Sequence, residues 1–551
     1  MGSALSRLRL SVKSFLAVVA TYEELNKRIQ ESPGIPISNP SVSYWAIPAA
    51  PIAQHGCNDM LPSFADVVII GSGMTGTSVA RTLLEFNDTK PLQICMLEAR
   101  DVCSGASSRN GGHITPVLYQ EYQELKKELG AEMAKSLLRF RLAHIEELIQ
   151  VSKAEDILTE SQCRKVETFD VFFEQDTFSS AIQNLNVYLN DLPDQRILWR
   201  VVGKEECVQD LQFSSTVVGA IATTAGSIHP YRFVTGVLSR LLERHPNKFR
   251  LLTHTPCLSI ASKDNEDFYI VSTPKGTIRA RHIIHATNAW ASHLLPSMRA
   301  KIVPVRGHMS AQRPGTGLGR PQSAVEPTSP NSSAVTLTDP GLSWLGTRSF
   351  VMYGGGRYDY LTQQPYATAF APQSQYPSPA AEFMFGGGVA RGELGGPALM
   401  KVLGNANDRG WDLETGAYLS GALSMYFGGW GAEGKDREGE KLPSSDGVED
   451  GRVKKLWTGI LAVSADGRPW VGRVPAKMSG RPIPRANKED KKGLAPAGEW
   501  IAAGYTGEGM VHAYLSGRIV AEMVLGNKPK FPAALLVTEA RWKKAKIENL
   551  V

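Results

Sequence analysis

The stretch that most constrains this chain runs from Ala65 to Glu98. Ala65 to Ile70 is apolar except for Asp66, with Val67 to Ile70 unbroken, as suits a short parallel strand buried on both faces. It leads directly into Gly71-Ser72-Gly73-Met74-Thr75-Gly76, after which a helix is expected through about Glu85. Leu92 to Leu97 supplies a second strand, and Glu98 stands at its end, 22 residues beyond Gly76. The glycines alone would be a weak signal, but strand, glycines, helix, strand and acid together make the dinucleotide-binding βαβ fingerprint. Gly71 permits the tight turn, Gly73 lets backbone approach a pyrophosphate, and Gly76 lets the helix pack closely on the strand. The helix start, at Met74 and Thr75, then turns its unpaired N–H groups toward phosphate. Glu98, followed by Ala99, is placed to accept from the adenosine ribose hydroxyls, and its charge disfavours a 2′-phosphate. The plain alternative is a solvated acid at a strand end.

With 551 residues, 42% of them hydrophobic, the chain can bury more than one core. The net charge is +6, and Lys and Arg are scattered instead of forming a stripe with interleaved aromatics, which argues against a nucleic-acid partner. Six cysteines (Cys57, Cys95, Cys103, Cys163, Cys207, Cys257) lie far apart, with no C-x-x-C pair and no His cluster at zinc spacing. A reducing compartment and no metal site are expected. No run approaches the roughly 20 apolar residues of a membrane helix, so a soluble, cytoplasmic protein is expected. Two cheap N-terminal signals compete with that reading. Arg7, Arg9 and Lys13 without an acid resemble a mitochondrial presequence, and Met1-Gly2-Ser3-Ala4-Leu5-Ser6 fits the N-myristoylation pattern at Gly2.

The fingerprint does not separate FAD from NAD; the segment after Glu98 does. Cys103-Ser104-Gly105-Ala106-Ser107-Ser108-Arg109-Asn110-Gly111-Gly112-His113 resembles the post-strand motif of the D-amino-acid oxidase superfamily, particularly its gamma-glutamylputrescine oxidoreductase-like branch. The resemblance implies FAD, noncovalent more readily than covalent, with Ser107, Ser108, Arg109, Asn110, Gly111 and Gly112 running along the flavin and its ribityl-pyrophosphate tail. Small residues suit a backbone lying against a flat ring. Arg109 would offer charge to phosphate or to the reduced flavin.

Further segments resemble the family at intervals. Gly226-Ser227-Ile228-His229-Pro230-Tyr231-Arg232 is similar to the entry of the helix that returns the chain to the FAD domain. Ile283 to Trp290 is similar to a strand ending in an Ala-Thr-Gly type turn, which implies cofactor contact at Ala286 and Thr287. Asn288 replaces the common Gly, and Asn tolerates positive φ. Near the C-terminus, Ser464-Ala465-Asp466-Gly467-Arg468-Pro469 and Gly504-Tyr505-Thr506-Gly507-Glu508-Gly509 follow the pattern, implying cofactor roles for Asp466, Gly467, Gly504, Gly507, Glu508, Gly509 and Met510. A helix follows, with Met510, Ala513, Tyr514, Gly517, Ala521 and Val524 at helical spacing. In the family its N-terminus points at the flavin pyrimidine, where the dipole favours the charge gained on reduction by up to ~2 kcal/mol. Relatives often carry His where this chain has Glu508. A carboxylate there opposes the dipole, so Glu508 is read as a solvent-facing first-turn acid, with contact to a cationic substrate amine as the alternative.

The expected fold class is α/β (α+β), a Rossmann-like FAD-binding domain discontinuous in sequence beside a mostly antiparallel substrate domain. The expected division is an N-terminal arm over 1–63, an FAD domain from 64–150, 226–300 and 455–530, a substrate domain from 151–225 and 301–454, and a C-terminal tail over 531–551. The Pro-, Gly- and Ser-rich stretches 313–340 and 476–497 read as surface loops.

Family resemblance implies oxidation of a C–N bond in an amine or amino acid by hydride transfer to flavin N5, giving an imine, with O2 or another acceptor completing the cycle. An NAD(P)H-dependent flavin monooxygenase and a noncatalytic FAD-binding protein are the other classes. The flavin performs the hard step, so little side-chain catalysis is required. His113 is the leading candidate for a proton acceptor or a donor to the flavin edge, against a structural hydrogen-bonded role. Tyr358 and Tyr360 are candidates to line the substrate roof, and Arg306 to bind a substrate carboxylate, against sheet packing and an interdomain ion pair.

Overall fold

In the run Phe64–Ile70 six of seven residues are buried, so this strand must lie at the centre of a sheet covered on both faces. The structure, a computed structural model, describes residues 20–85, 92–263, 266–315, 318, 346–354, 357–365, 374–388, 401–430, 451–485 and 493–547. The Gly2 pattern, the Arg7, Arg9 and Lys13 signal, and most of the loop expected over 313–340 lie outside the described residues.

Among the described residues the first sheet has eight strands. Its parallel centre runs, in spatial order, Gly498–Ala503, Gly276–His285, Phe64–Ile70, Ile94–Leu97 and Phe249–Leu252. Trp470–Arg473 adds an antiparallel edge. The helix Met74–Glu85 crosses between the first two strands, and Ala513–Val524 packs on it so closely that a Cβ on Gly517 would lie 2.6 Å from Thr75 O. Helix Pro230–Arg244 carries the chain back from the second sheet, its start capped by His229.

The second sheet has nine described strands and is antiparallel except where Arg348–Gly354 runs parallel to Arg164–Phe172. Its longest pairing joins Ile302–Gln312 to Val453–Ser464. The boundary expected at 455 is therefore corrected: Val453–Ser464 belongs by backbone pairing to the second sheet, and so does His113–Ile114, which pairs with the end of Gly219–Ser227. One face of this sheet packs an aromatic core including Phe169, Phe213, Phe350, Phe385 and Phe427.

Both ends of the described chain are tied down. A helix over 20–30 buries Leu25 and Ile29 in the core that holds Trp290 and Ile302. Beyond residue 531, Leu535, Val537, Ala545 and Ile547 are buried, and Val537 N donates to Val471 O. No described helix is long and apolar enough to cross a membrane.

Candidate active site

Where the central parallel strands end, neighbouring connections leave in opposite directions and open a crevice, the usual ligand position in such sheets. Here it is a cavity open to solvent, about 1240 Å³ with the solvent at its mouth included. One wall is the turn from Ile70 to Thr75. Gly71 has φ +106°, and a Cβ there would lie 2.7 Å from Ala286 O. A Cβ on Gly76 would lie 2.0 Å from Gly71 O, so only glycine lets helix and strand meet. Gly73 stands 2.9 Å, measured from an ideal Cβ, from Ser107 Oγ, which itself accepts from Met74 N at 2.9 Å.

Glu98 lies on the wall beside Ala99 and Arg100. Its Oε2 accepts from Ser72 N at 3.1 Å and Ser72 Oγ at 2.7 Å, and its Oε1 from Arg100 N at 3.0 Å. A carboxylate offers about four acceptor positions, so one stays open to a ligand hydroxyl. Thr287 and Trp290, also on the wall, have a buried hydroxyl and a buried indole N–H with no partner in the protein. Buried donors in a native fold are nearly always satisfied, and a bound dinucleotide would satisfy these. Asn288, at φ +46°, accepts from Gly504 N at 3.0 Å and so locks the turn after Gly276–His285 to the turn after Gly498–Ala503. Gly507, Gly509, Met510 and Ala513 close the far end, with Leu461 and Ala462 of the second sheet above them.

The structure thus brings Gly71, Gly73, Met74, Thr75, Glu98, Ala99, Ser107, Asn110, Ala286, Thr287, Gly507, Gly509 and Met510 to one cavity. Gly76 and Gly504 stand just behind it as packing and turn positions. Several other candidates lie elsewhere. Arg109 is buried and directs its guanidinium away from the cavity, to Ser104 O at 2.6 Å, Thr458 O at 2.7 Å and, at 3.6 Å, to Asp408. Burial pushes its pKa down to about 10, with Asp408 opposing. It braces three segments and offers no charge to a ligand. Ser108 is buried beside it, where its carbonyl accepts from Ser43 Oγ. Gly111 and Gly112 lie under the second sheet, where a Cβ would come 2.4 Å from the Tyr360 ring and 2.1 Å from Ile228 O, respectively.

His113 pairs across to Ser227 and is buried off the cavity. Burial pushes its pKa down to about 3, its Nδ1 has no partner, and its Nε2 is 3.5 Å from Thr168 Oγ1. Such an imidazole is held neutral near pH 7, and His113 is not among the residues that line the cavity. Asp466 binds Arg541 at 2.7 Å and Arg468 at 3.3 Å, holding the C-terminal segment, and Gly467 completes that turn at φ +70°. Tyr360 directs its hydroxyl to Met309 Sδ at 2.9 Å, whereas Tyr358 is 60% exposed. Arg306 donates to Gly410 O.

Glu508 is corrected as well. Gly507 and Gly509 line the cavity, but the carboxylate between them turns to the opposite side, where Oε2 lies 3.2 Å from Arg141 Nε. Burial pushes its pKa up to about 7, Arg141 opposing and Glu121 adding to the rise. The side chain is only 17% exposed and is not a solvent-facing acid.

Sequence reasoning missed the wall contributed by Gly34, Ile35 and Pro36 and by Pro256, Cys257 and His293. Trp290 stood at the end of a recognised strand and turn, which was the available signal for it. The arm carried none, because its composition reads as loop.

A parallel sheet with a glycine turn at its switch point, an acid after the second strand and a second sheet above the cavity is the arrangement of a dinucleotide-binding protein. The sequence model for FAD dependent oxidoreductases (DAO) matches residues 66–523, and the chain belongs to this family, whose cofactor is FAD. Among curated proteins it is 26% identical over 256 residues to a probable oxidoreductase OrdL of Rhizobium meliloti (strain 1021), covering 45% of this chain and 54% of that protein. It is 24% identical over 266 residues to a probable oxidoreductase OrdL of Haemophilus influenzae, covering 45% and 56%. The matched part thus spans about half the length of these relatives. Among solved structures, glycine oxidase from Geobacillus kaustophilus superposes with a TM-score of 0.55 at 15% identity, over 87% of this chain and 99% of that one. L-amino acid deaminase from Proteus vulgaris gives 0.54 at 16%, over 89% and 98%. These structures share the fold.

Proposed function

We propose that this protein oxidises a C–N bond of an amine or amino acid, hydride passing from the carbon beside an unprotonated amine to FAD and leaving an imine that water hydrolyses. The observation that carries the reading is the shape of the cavity, which runs from the phosphate cradle at Gly71 to Gly76 to the turn Gly507 to Met510 and passes there beneath the second sheet. The names of the fold relatives, a glycine oxidase and an L-amino acid deaminase, support the same chemistry.

In this reading Ser72, Gly73 and Met74 hold the pyrophosphate at the helix start, and Glu98 takes a ribose hydroxyl. Thr287 and Trp290 supply the donors that the protein leaves unpaired. Bound FAD supplies the electron sink, so the chain's task is to place the substrate carbon and keep water out. Leu461, Ala462 and Met510 suit that task, being apolar groups at the roofed end. A dry surround also lowers an amine's pKa and favours the neutral form that can give up hydride.

The test is an anaerobic screen of amines, N-methylated amino acids, amino acids and polyamines against the purified holoprotein, following loss of oxidised-flavin absorbance. Bleaching by at least one of them supports the reading. Bleaching by NADPH alone would instead identify a monooxygenase, and resistance to every reductant a noncatalytic flavoprotein.

A further inference from the structure

The family match begins at residue 66, yet part of the cofactor cavity is built by residues before it. Gly34, Ile35 and Pro36 line the cavity at the end marked by His293 and Arg100, which bond to the flanking Ser32 and Ile37. That is the adenosine end, since it adjoins the acid that follows the second strand.

The segment is held at both sides and loosely in between. Upstream, the helix over 20–30 is buried through Leu25 and Ile29, and Ile29 O accepts from Ala300 N at 3.1 Å. Downstream, Ser41 N donates to Asp408 O at 2.7 Å, and Asn39 Oδ1 accepts from Arg409. Across the span itself, the ties to the cavity wall are Ser32 Oγ on His293 Nδ1 at 2.9 Å, with Gly34 N donating to the same hydroxyl at 3.2 Å, and Ile37 O, which accepts from Arg100 Nη1 at 3.5 Å. Pro33 and Pro36 have no N–H to give to a ladder and stiffen the crossing. Ile35 remains 40% exposed, an apolar side chain on the cavity rim.

We propose that residues 32–37 are a strap that closes over the adenosine half of FAD and retains it, and that FAD leaves only when this strap lifts from His293 and Arg100. Two fixed ends with few bonds between them let a short span open without unfolding either anchor. Apolar contact from Ile35 and Pro36 then appears in the rate of release more than in the rate of capture. The proposal rests on the cofactor assignment and not on the reaction proposed above.

The experiment compares holoprotein with the double variant Ile35→Gly/Pro36→Gly and with Ser32→Ala, following flavin fluorescence as FAD is released on dilution. Thermal unfolding of each apo-protein checks that the anchors still fold. The expected result is release at least about tenfold faster in the double variant and a smaller acceleration in Ser32→Ala, with apo stability unchanged. Limited proteolysis gives a second readout: FAD should protect the 32–38 stretch from cleavage. Unchanged release rates in folded variants, or cleavage indifferent to FAD, would overturn the strap while leaving the cofactor assignment standing. Wild-type protein that binds no FAD would overturn both.

Discussion

Glu508 and Arg141 meet at 3.2 Å behind the turn from Gly507 to Met510 that closes one end of the cavity, tying that turn to the long helix Ala131–Ala154. Arg141 also donates to Glu121 Oε2 at 2.9 Å and to Val117 O at 2.8 Å. One cation therefore answers two carboxylates, Glu508 half-buried and Glu121 more exposed.

Burial raises the Glu508 pKa from the usual 4.5 to about 7, against the pull of Arg141. The folded state then holds more protons than the unfolded state between these values, so the stability of the protein falls as pH rises from 4.5 through 7. Glu508→Gln should flatten the Tm-against-pH curve across this window and raise Tm above pH 7. Arg141→Met leaves the carboxylate buried without its cation and should cost about 3 kcal/mol at pH 8, less at pH 5, by urea unfolding. A Glu508→Gln curve parallel to wild type would contradict the assignment.

Asp408 is fully buried between Arg100, at 3.0 Å, and Arg109, at 3.6 Å, and its own carbonyl holds Ser41 of the arm. Asp408→Ala strands two guanidinium groups and should cost about 3–5 kcal/mol. Arg109→Met should also destabilise the protein, yet leave the salt dependence of FAD affinity unchanged, because the guanidinium touches no phosphate. A flatter salt dependence in a folded Arg109→Met protein would restore the ligand role.

Gly76→Ala puts a methyl against the Gly71 carbonyl, where the ideal distance is 2.0 Å. Helix and strand must separate, at a cost of about 1–3 kcal/mol. Because the displaced backbone is the proposed phosphate cradle, the protein should purify with less than half its FAD, measured by absorbance, even where circular dichroism shows it folded.

Cys103 N donates to Ser72 Oγ at 2.9 Å, but its thiol is buried off the cavity and burial raises its pKa well above the ordinary value. A neutral, enclosed thiol is a poor nucleophile. Acid precipitation should release all the flavin into the supernatant; a yellow pellet that loses its colour in Cys103→Ser would show covalent attachment.

The strands of the first sheet were legible because doubly covered parallel strands have to be apolar runs, as Val67–Ile70 and Ile283–Ile284 are. The cradle was legible because its glycines answer local backbone demands. What could not be read were relations between distant parts of the chain. Arg109 looks like a phosphate ligand until Asp408 and Thr458 are seen beside it, and Glu508 looks like an exposed first-turn acid until Arg141 is placed opposite. His113 carried no sign of the burial that removes its basicity. The arm is rich in Pro and Ser and gave no hint that Ile35 borders a cavity built some thirty or more residues later. Val453–Ser464 was placed with the wrong sheet because its motif adjoins the cofactor region, whereas its backbone pairs with Ile302–Gln312.

The central claim is hydride transfer from the carbon beside an amine, and the direct measurement is the rate of anaerobic flavin reduction in rapid mixing. The substrate would be the most effective amine from the screen, compared with the same compound deuterated at that carbon. Breaking the C–H bond in the reductive step predicts a severalfold slower bleaching with the deuterated compound, at saturating concentration and without any added NADPH. Bleaching that occurs only with NADPH, whatever amine is present, would contradict the account.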